Sequence, residues 1–320
     1  MDSKPASLRV LLGVIILIVV VVLAVAFLPW FSGVRSWLWS FMVPSYVESP
    51  FIGVEGEKGV LYTVNVFGVD TRTFGEYSLV DYARQGNVEV AILRSGTSYN
   101  VYDVSGKEMT ALTNDGIEKS SIDLSKDGSQ ILFSVKARTL PRPTGAGEDD
   151  VVYQLPEWDV MIVDRTTKTA TRLGAGNHAQ FYGEGVFYPA PTGLIYRVPG
   201  DNGFDKSDEG SVLADAMAYR MVRIADLSED GKLVFPSVLA GNYEAVVISS
   251  IAPLAIQAAP EHPIQVASGT KDVALRGNSI FVLGVRADGR LAVFKHSGSN
   301  VHPVYTFPQG KYPERFVRTY

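Results

Sequence analysis

One short motif occurs twice in this chain and decides its fold class. Residues 122–135 read I-D-L-S-K-D-G-S-Q-I-L-F-S-V, and residues 225–238 read A-D-L-S-E-D-G-K-L-V-F-P-S-V. In both copies an Asp-Gly pair leads into an apolar run. Asp-Gly supplies the positive φ that a two-residue hairpin turn needs, and the serine and aspartate before the glycine can bind backbone N–H groups. The motif therefore predicts a structural turn between an inner strand and its neighbour, and not a catalytic role for Asp127 or Asp230.

Further copies of this strand pattern fill the chain from residue 51 onward. Short runs of Val, Ile, Tyr, Phe and Thr alternate with glycine and asparagine turns, which is typical of antiparallel strands. Residues 212–222 are the exception, since they allow one or two helical turns. Repeating units begin near residues 88, 121, 179, 223 and 272.

The fold class that this repetition predicts is an all-β propeller, with six four-stranded blades of about 45 residues each over residues 51–320. Residues 51–78 offer strands at 59–67 and 73–77 but no inner strand. Residues 316–320 would supply that strand and close the ring, which removes an open sheet edge.

The repeat resembles that of the TolB-like propellers (WD40-like, PD40-type). The resemblance is carried by residues 123–134, by D-V-M-I-V-D at 159–164 and by T-R-L at 171–173. It implies six blades, a location in the cell envelope and contacts with other proteins. The α/β domain that precedes the propeller in TolB itself is not recognisable here, so the resemblance does not imply TolB's own partner.

The N-terminus carries a predicted membrane anchor. Residues 10–28 are uncharged and apolar, long enough to span a bilayer as a helix. Lys4 and Arg9 precede this segment and only Arg35 follows closely, so we expect residues 1–9 in the cytoplasm and residues 51–320 in the periplasm or extracellular space. Ala24-Val25-Ala26 also allows a cleaved signal peptide, but the apolar run is longer than a signal peptide needs.

Residues 29–50 form a predicted juxtamembrane segment and linker. Three tryptophans, Trp30, Trp37 and Trp39, fall at a position where indole rings favour the membrane interface. A short interfacial helix and an apolar stalk without defined function both fit this composition.

Composition excludes several classes of function. The formal net charge is −5 and no cluster of Lys and Arg occurs, so we do not expect nucleic acid as a partner. Because the chain has no cysteine, it has no disulfide, no thiolate zinc site and no cysteine nucleophile.

The remaining polar motifs indicate neither an enzyme nor a cofactor. Residues 174–179 satisfy G-x-G-x-x-A, but a strand and turn follow instead of the helix that a dinucleotide site requires. The four histidines are scattered: His178, His262, His296 and His302. The loop 201–210 is a weak calcium candidate through four carboxylates: Asp201, Asp205, Asp208 and Glu209. It departs from the EF-hand spacing, and a solvated acidic loop is favoured.

A long insertion, residues 137–157, interrupts one regular repeat and is the candidate partner-binding segment. Its interface-type residues are Arg142, Tyr153 and the adjoining Trp158. The alternative is a tolerated surface insertion. The resulting hypothesis is a membrane-anchored, extracytoplasmic propeller that binds an envelope protein, with the bilayer contacted through residues 10–28. A ligand or glycan sensor, or an enzyme with a site at the central channel, is the alternative, because such sites need no contiguous motif.

Overall fold

The computed structural model describes residues 50–65, 68–138, 157–190, 193–199, 211–214, 226–227, 233–239, 242–248, 251–252, 255–256, 269–276, 279–297 and 300–319. Every helix or strand within these ranges is a β-strand, which confirms the all-β prediction. The proposed anchor and the three interfacial tryptophans lie outside them. Within these ranges, no helix has the length and apolar character needed to cross a membrane.

The first half of the described chain contains fourteen strands. In chain order they are β1 (Phe51–Glu55), β2 (Lys58–Asn65), β3 (Gly68–Arg72), β4 (Ser78–Gln85), β5 (Val88–Ser95), β6 (Ser98–Asp103), β7 (Thr110–Ala111), β8 (Lys119–Leu124), β9 (Gln130–Arg138), β10 (Glu157–Asp164), β11 (Ala170–Ala175), β12 (Gln180–Tyr182), β13 (Gly185–Ala190) and β14 (Gly193–Arg197).

The second half contains twelve strands. They are β15 (Ser211–Ala214), β16 (Asp226–Leu227), β17 (Leu233–Leu239), β18 (Asn242–Ile248), β19 (Ile251–Ala252), β20 (Ala255–Ile256), β21 (Asp272–Arg276), β22 (Ser279–Val285), β23 (Leu291–Ser297), β24 (Asn300–Thr306), β25 (Tyr312–Phe316) and β26 (Arg318–Thr319).

These strands form a β-propeller in which five sheets have at least four strands. In strand order, blade 1 is β25-β1-β2-β3, blade 2 is β26-β4-β5-β6-β7, blade 3 is β8 to β11, blade 4 is β12 to β15, and blade 5 is β21 to β24. The inner strands are β25, β4, β8, β12 and β21. Most of them contact the inner strand of a neighbouring sheet, as β4 contacts β8 and β21 contacts β25.

The prediction of six four-stranded blades is wrong for the part of the chain that the structure describes. The repeat that begins near residue 223 forms a three-stranded sheet, β16-β17-β18, followed by the separate two-stranded sheet β19-β20. In the sequence, Pro253 comes between β19 and β20, and Pro260 and Pro263 come after them. Because proline has no N–H to donate, each of these residues removes one possible donor from a strand ladder.

The ring closes through the C-terminal part of the chain, as predicted, although the bounds differ. β25 pairs antiparallel with β1, and Phe316 lies opposite Phe51. The predicted strand at residues 316–320 therefore begins four residues too late. The chain then continues as β26, which pairs parallel with β4 of blade 2.

One further detail of the strand prediction is wrong, and a second is tested over only three residues. Residues 73–77 contain only an isolated bridge between Phe74 and Tyr77 and serve as the connection from β3 to β4. Residues 212–214, the start of the segment expected to allow one or two helical turns, belong to β15, and residues 215–222 lie outside the described residues.

The core lies between neighbouring blades, and each central strand contributes to two parts of it. In β5, Val90 and Ile92 pack against blade 3, whereas Ala91 and Leu93 pack against blade 1. Because successive side chains of a strand point to opposite faces, a strand buried on both faces is apolar throughout. This explains the continuous V-A-I-L run in β5.

Candidate functional site

The repeated motif forms a tight turn in blade 3, as predicted. Gly128 has a φ of +70°, and its N–H donates to the carbonyl of Ser125 at 2.8 Å. The Asp127 carboxylate accepts hydrogen bonds from the hydroxyl of Ser125 at 2.6 Å and from the N–H of Ser129 at 3.0 Å. These hydrogen bonds lower the pKa of Asp127 to about 2, and the bond from Ser125 contributes most. The carboxylate stabilises the turn from β8 to β9, which is a structural role.

The first aspartate of the motif has a different role, which the sequence did not indicate. Asp123 in β8 accepts the backbone N–H of Phe181 in β12 at 2.9 Å. In the second copy, Asp226 in β16 accepts the N–H of Leu275 in β21 at 2.8 Å. Each carboxylate therefore joins the first strand of one sheet to the first strand of the next.

Two other aspartates make the same kind of contact without belonging to the motif. Asp81 in β4 accepts the N–H of Ile122 in β8 at 3.0 Å, and Asp272 in β21 accepts the N–H of Phe316 in β25 at 2.8 Å. We call Asp81, Asp123, Asp226 and Asp272 the inner-strand aspartates. Hydrogen bonds of a carboxylate to backbone N–H groups are stronger than those between neutral groups. The carboxylates near the ring centre therefore serve to hold neighbouring sheets together.

The histidines of the described chain do not form a common site. His302 pairs with Lys295 across β23 and β24, whereas His296 pairs with Val301. Directly paired residues share a face and successive residues alternate, so His296 and His302 project from opposite faces of the sheet. Burial lowers the pKa of His296. In the described residues, no three His, Asp or Glu side chains lie close enough to hold a metal ion, and His262 is outside them.

The G-x-G-x-x-A segment is a connection between blades, as expected. It runs from the end of β11 to the start of β12, and no helix follows it. The Asn177 side chain accepts the hydroxyl of Ser120 at 2.7 Å, and the N–H of Gly176 donates to the carbonyl of Trp158 at 2.7 Å. The segment thus lacks the helix N-terminus at which a pyrophosphate binds.

The blades have two distinct ends, because antiparallel strands place alternate connections at opposite ends. We call one the insertion end. In blades 1 to 4 it carries the connections at 56–57, 73–77, 96–97, 112–118 and 176–179 and the strand ends that flank the insertion. The N–H of Gly59, beside the β1-β2 turn of blade 1, donates to the hydroxyl of Ser78 at the start of β4. This contact shows that these ends of blades 1 and 2 lie on the same side of the ring. The opposite end carries Pro50, whose carbonyl accepts the N–H of Val317 at 2.9 Å.

The base of the insertion is a pair of antiparallel strands with a register shift between Glu157 and Trp158. The chain leaves β9 at Arg138 and returns in β10 at Glu157, and these two residues lie opposite each other. Beside them, Lys136 and Glu118 form an ion pair at 2.7 Å. Of the predicted partner-binding residues, Trp158 lies in β10 with only 8% exposed, so most of its indole ring packs inside the protein. Arg142, Tyr153 and the acidic calcium-candidate loop lie outside the described residues.

A buried lysine holds the connection next to the insertion base. Lys119 is 1% exposed, and its ammonium group binds the Asp115 carboxylate, the carbonyl of Tyr99 at 3.2 Å and the carbonyl of Ile117 at 3.1 Å. Burial lowers the pKa of Lys119, and the bond to Asp115 opposes this shift. Three acceptors satisfy the three donors of the ammonium group, which is why a lysine can be buried here. No sequence pattern had indicated this group.

Comparisons with known proteins identify the fold but no family. No family model matches the chain, and no curated protein matches it. A chain from a crystal structure of a nidogen/laminin complex matches with a TM-score of 0.52 and 10% identity, over 85% of this chain and 97% of that chain. TolB from Acinetobacter baumannii matches with a TM-score of 0.53 and 14% identity, over 84% of this chain and 68% of that chain. Identities this low show a shared fold alone, which is the β-propeller.

Proposed function

We propose that this protein is a binding module that docks another protein of the cell envelope at the insertion end of its propeller. In this proposal residues 10–28 anchor the protein in the cytoplasmic membrane, with the propeller outside the cytoplasm. The observation that carries the proposal is the insertion base. A long segment leaves and re-enters the ring between two paired strands, at the opposed residues Arg138 and Glu157.

The physical argument concerns loops on rigid supports. β9 and β10 are paired over their length and packed into the core, so the ends of the insertion are fixed by a scaffold. Loops held in this way commonly carry recognition. The inner-strand aspartates, by contrast, are engaged in joining sheets, and the described residues contain no metal-ligand cluster. The propeller fold shared with a chain from a complex of two proteins is compatible with a binding role.

The test is crosslinking with mass spectrometry on the full-length protein in its native membranes. A variant lacking residues 139–156 is compared with a variant in which a Gly/Ser segment of equal length replaces them. The proposal expects one reproducible envelope protein to be recovered with the wild type and lost with both variants. A stoichiometric partner retained by both variants would show that the insertion does not bind it, and absence of any partner in all samples would refute the binding role.

Localisation is tested separately. Protease added to cells with a permeabilised outer layer should degrade the propeller while an N-terminal epitope tag stays protected. Protection of the propeller instead would place it in the cytoplasm and contradict the proposed orientation.

A further inference from the structure

A buried arginine in blade 4 lacks a counter-charge in the described part of the chain. Arg197, the last residue of β14, is 1% exposed and lies opposite Val186. Its Nη1 group donates a hydrogen bond to the carbonyl of Leu173 in blade 3. Leu173 and Val186 both belong to the apolar core between these two blades. Within the described residues, this interface supplies the guanidinium with one acceptor and no carboxylate.

The unpaired donors of Arg197 lie on one edge of its guanidinium group. Among the residues that the structure describes, neither Nε nor Nη2 of Arg197 has a hydrogen-bond partner. In arginine, the N–H of Nε and one N–H of Nη2 point in the same direction, and such a pair of donors can bind the two oxygens of a carboxylate in parallel. Arg197 therefore presents a complete bidentate binding edge inside the protein.

The charge of Arg197 cannot be removed by loss of a proton. Arginine stays protonated in proteins, so burial does not neutralise it. A buried charge without a partner destabilises a folded protein. Lys119 shows how this chain buries another cation, since its ammonium group binds the Asp115 carboxylate and two backbone carbonyls. By the same physical requirement, Arg197 needs an anion at its free edge.

We infer that Arg197 is the cation of a carboxylate-binding site between blades 3 and 4. A single guanidinium balances a single negative charge, which fits a carboxylate, whereas a phosphate group carries more than one charge near neutral pH. Arg172, next to Leu173, is already paired with Asp159 at 2.6 Å and adds no free positive charge. The site does not involve the insertion, so this inference stands independently of the proposed function.

The carboxylate has two possible sources. Arg197 ends β14 at the end of blade 4 opposite to the insertion, and the next residue, Val198, is 43% exposed. This end of the strand reaches the surface, so a carboxylate arriving from solution is one source. In the sequence, β14 is followed by the four carboxylates of the loop 201–210, so the chain itself is the other source. The experiment below distinguishes them.

The test is urea unfolding of the full-length protein in detergent micelles, with sodium acetate as the probe and sodium chloride at equal ionic strength as the reference. Wild type is compared with R197M, which removes the charge, and with R94M, the same change at an exposed arginine of β5. A ligand that binds only the folded state stabilises it increasingly with its concentration. If the carboxylate comes from solution, acetate shifts the unfolding midpoint of wild type and R94M upward and leaves that of R197M unchanged.

If the chain itself supplies the carboxylate, a different result is expected. Changing the four acids of the loop to amides (D201N, D205N, D208N and E209Q together) lowers the midpoint of wild type, because Arg197 loses its partner. The same four changes leave R197M nearly unaffected, since no buried charge remains to be balanced. Acetate then restores part of the lost stability in the four-amide variant that retains Arg197.

The inference is overturned if acetate has no effect beyond that of chloride, in wild type and in the four-amide variant, and if the amide changes cost the same in wild type and in R197M. A larger midpoint shift from phosphate than from acetate contradicts the carboxylate class. Should R197M fail to fold, R197K takes its place, because lysine keeps the charge but has no bidentate edge. R197K should lose most of the acetate response.

Discussion

The carboxylate of Asp123 in blade 3 accepts the backbone N–H of Phe181 in blade 4, with 2.9 Å between oxygen and nitrogen. Asp123 is fully buried, so this contact joins two blades near the ring centre without competition from water. Three other inner-strand aspartates make the equivalent contact. The propeller is thus held together by carboxylate-to-backbone bonds as well as by apolar packing between its sheets.

Replacing Asp123 by alanine should lower the free energy of unfolding by about 1–3 kcal/mol, because the N–H of Phe181 loses its acceptor inside the protein. Asp123→Asn retains an acceptor oxygen and should cost less. Urea unfolding measures both. Glu108→Ala, a change at an exposed residue of blade 2, serves as the control and should stay within about 0.5 kcal/mol of wild type. An Asp123→Ala variant as stable as this control would show that the bond contributes nothing.

The turn carboxylate of Asp127 predicts a defined pH dependence. Its folded pKa of about 2 lies below the ordinary aspartate value of 3.8. Its stabilising contribution is therefore fully present above 3.8 and is lost as the pH falls through 3.8 towards 2. NMR titration should show this low pKa in the wild type and a rise towards the ordinary value in Ser125→Ala. An unchanged pKa in that variant would mean that the serine hydroxyl is not its main cause.

Alanine substitutions at two glycines distinguish the cost of backbone strain from the cost of steric crowding. Gly86 and Gly128 both have positive φ, at +56° and +70°. A Cβ at Gly86 would meet nothing within 4 Å, whereas one at Gly128 would lie 2.9 Å from Cγ2 of Val88. Gly86→Ala should cost about 1–2 kcal/mol from the left-handed backbone alone, and Gly128→Ala should cost more. Adding Val88→Ala should relieve the excess at Gly128, and equal costs in the two single variants would contradict the crowding.

The contact between β25 and β1, which closes the ring and is called the seam below, depends on the packing of Phe316. The ring of Phe316 lies 5.1 Å from that of Phe51, which lies 5.1 Å from that of Phe307. Phe316→Ala should lower the free energy of unfolding by about 3–5 kcal/mol, because a cavity opens where β25 meets β1. Tyr312→Ala in the same strand removes an exposed ring and should cost far less. Similar losses in calorimetry for both variants would show that the seam is not a packed core.

The sequence predicted the local features of the fold well and the long-range ones poorly. The turn at Asp127-Gly128 depends on residues within five positions, so the motif predicted it. The contact of Asp123 joins residues 58 positions apart, and no local pattern marks such a partner. Lys119 was missed although two of its acceptors, Asp115 and Ile117, are local, because its burial depends on packing between blades that no local pattern marks. The predicted number of complete blades was wrong because the repeat that begins near residue 223 forms only a three-stranded and a two-stranded sheet in the described residues.

The burial of Trp158 shows a signal that was present but not used. Trp158, Val160 and Ile162 alternate along β10, and the two aliphatic residues belong to the core between blades 3 and 4. Period two places all three side chains on one face of the strand. The pattern therefore predicts a buried tryptophan, although the residue type had suggested an interface. The partner-binding assignments of Arg142 and Tyr153 stay predictions.

The pairing of β1 with β25 has a consequence for biosynthesis. Glu55, at the end of β1, and Lys311, just before β25, are 256 positions apart in the chain. At a translation rate of roughly 5–20 residues per second, β1 waits about 13–51 s for its partner strand. During that interval a nascent chain carries one open strand edge that later blades cannot cover. The edge of β1 is therefore covered only once residues 312–316 have been synthesised.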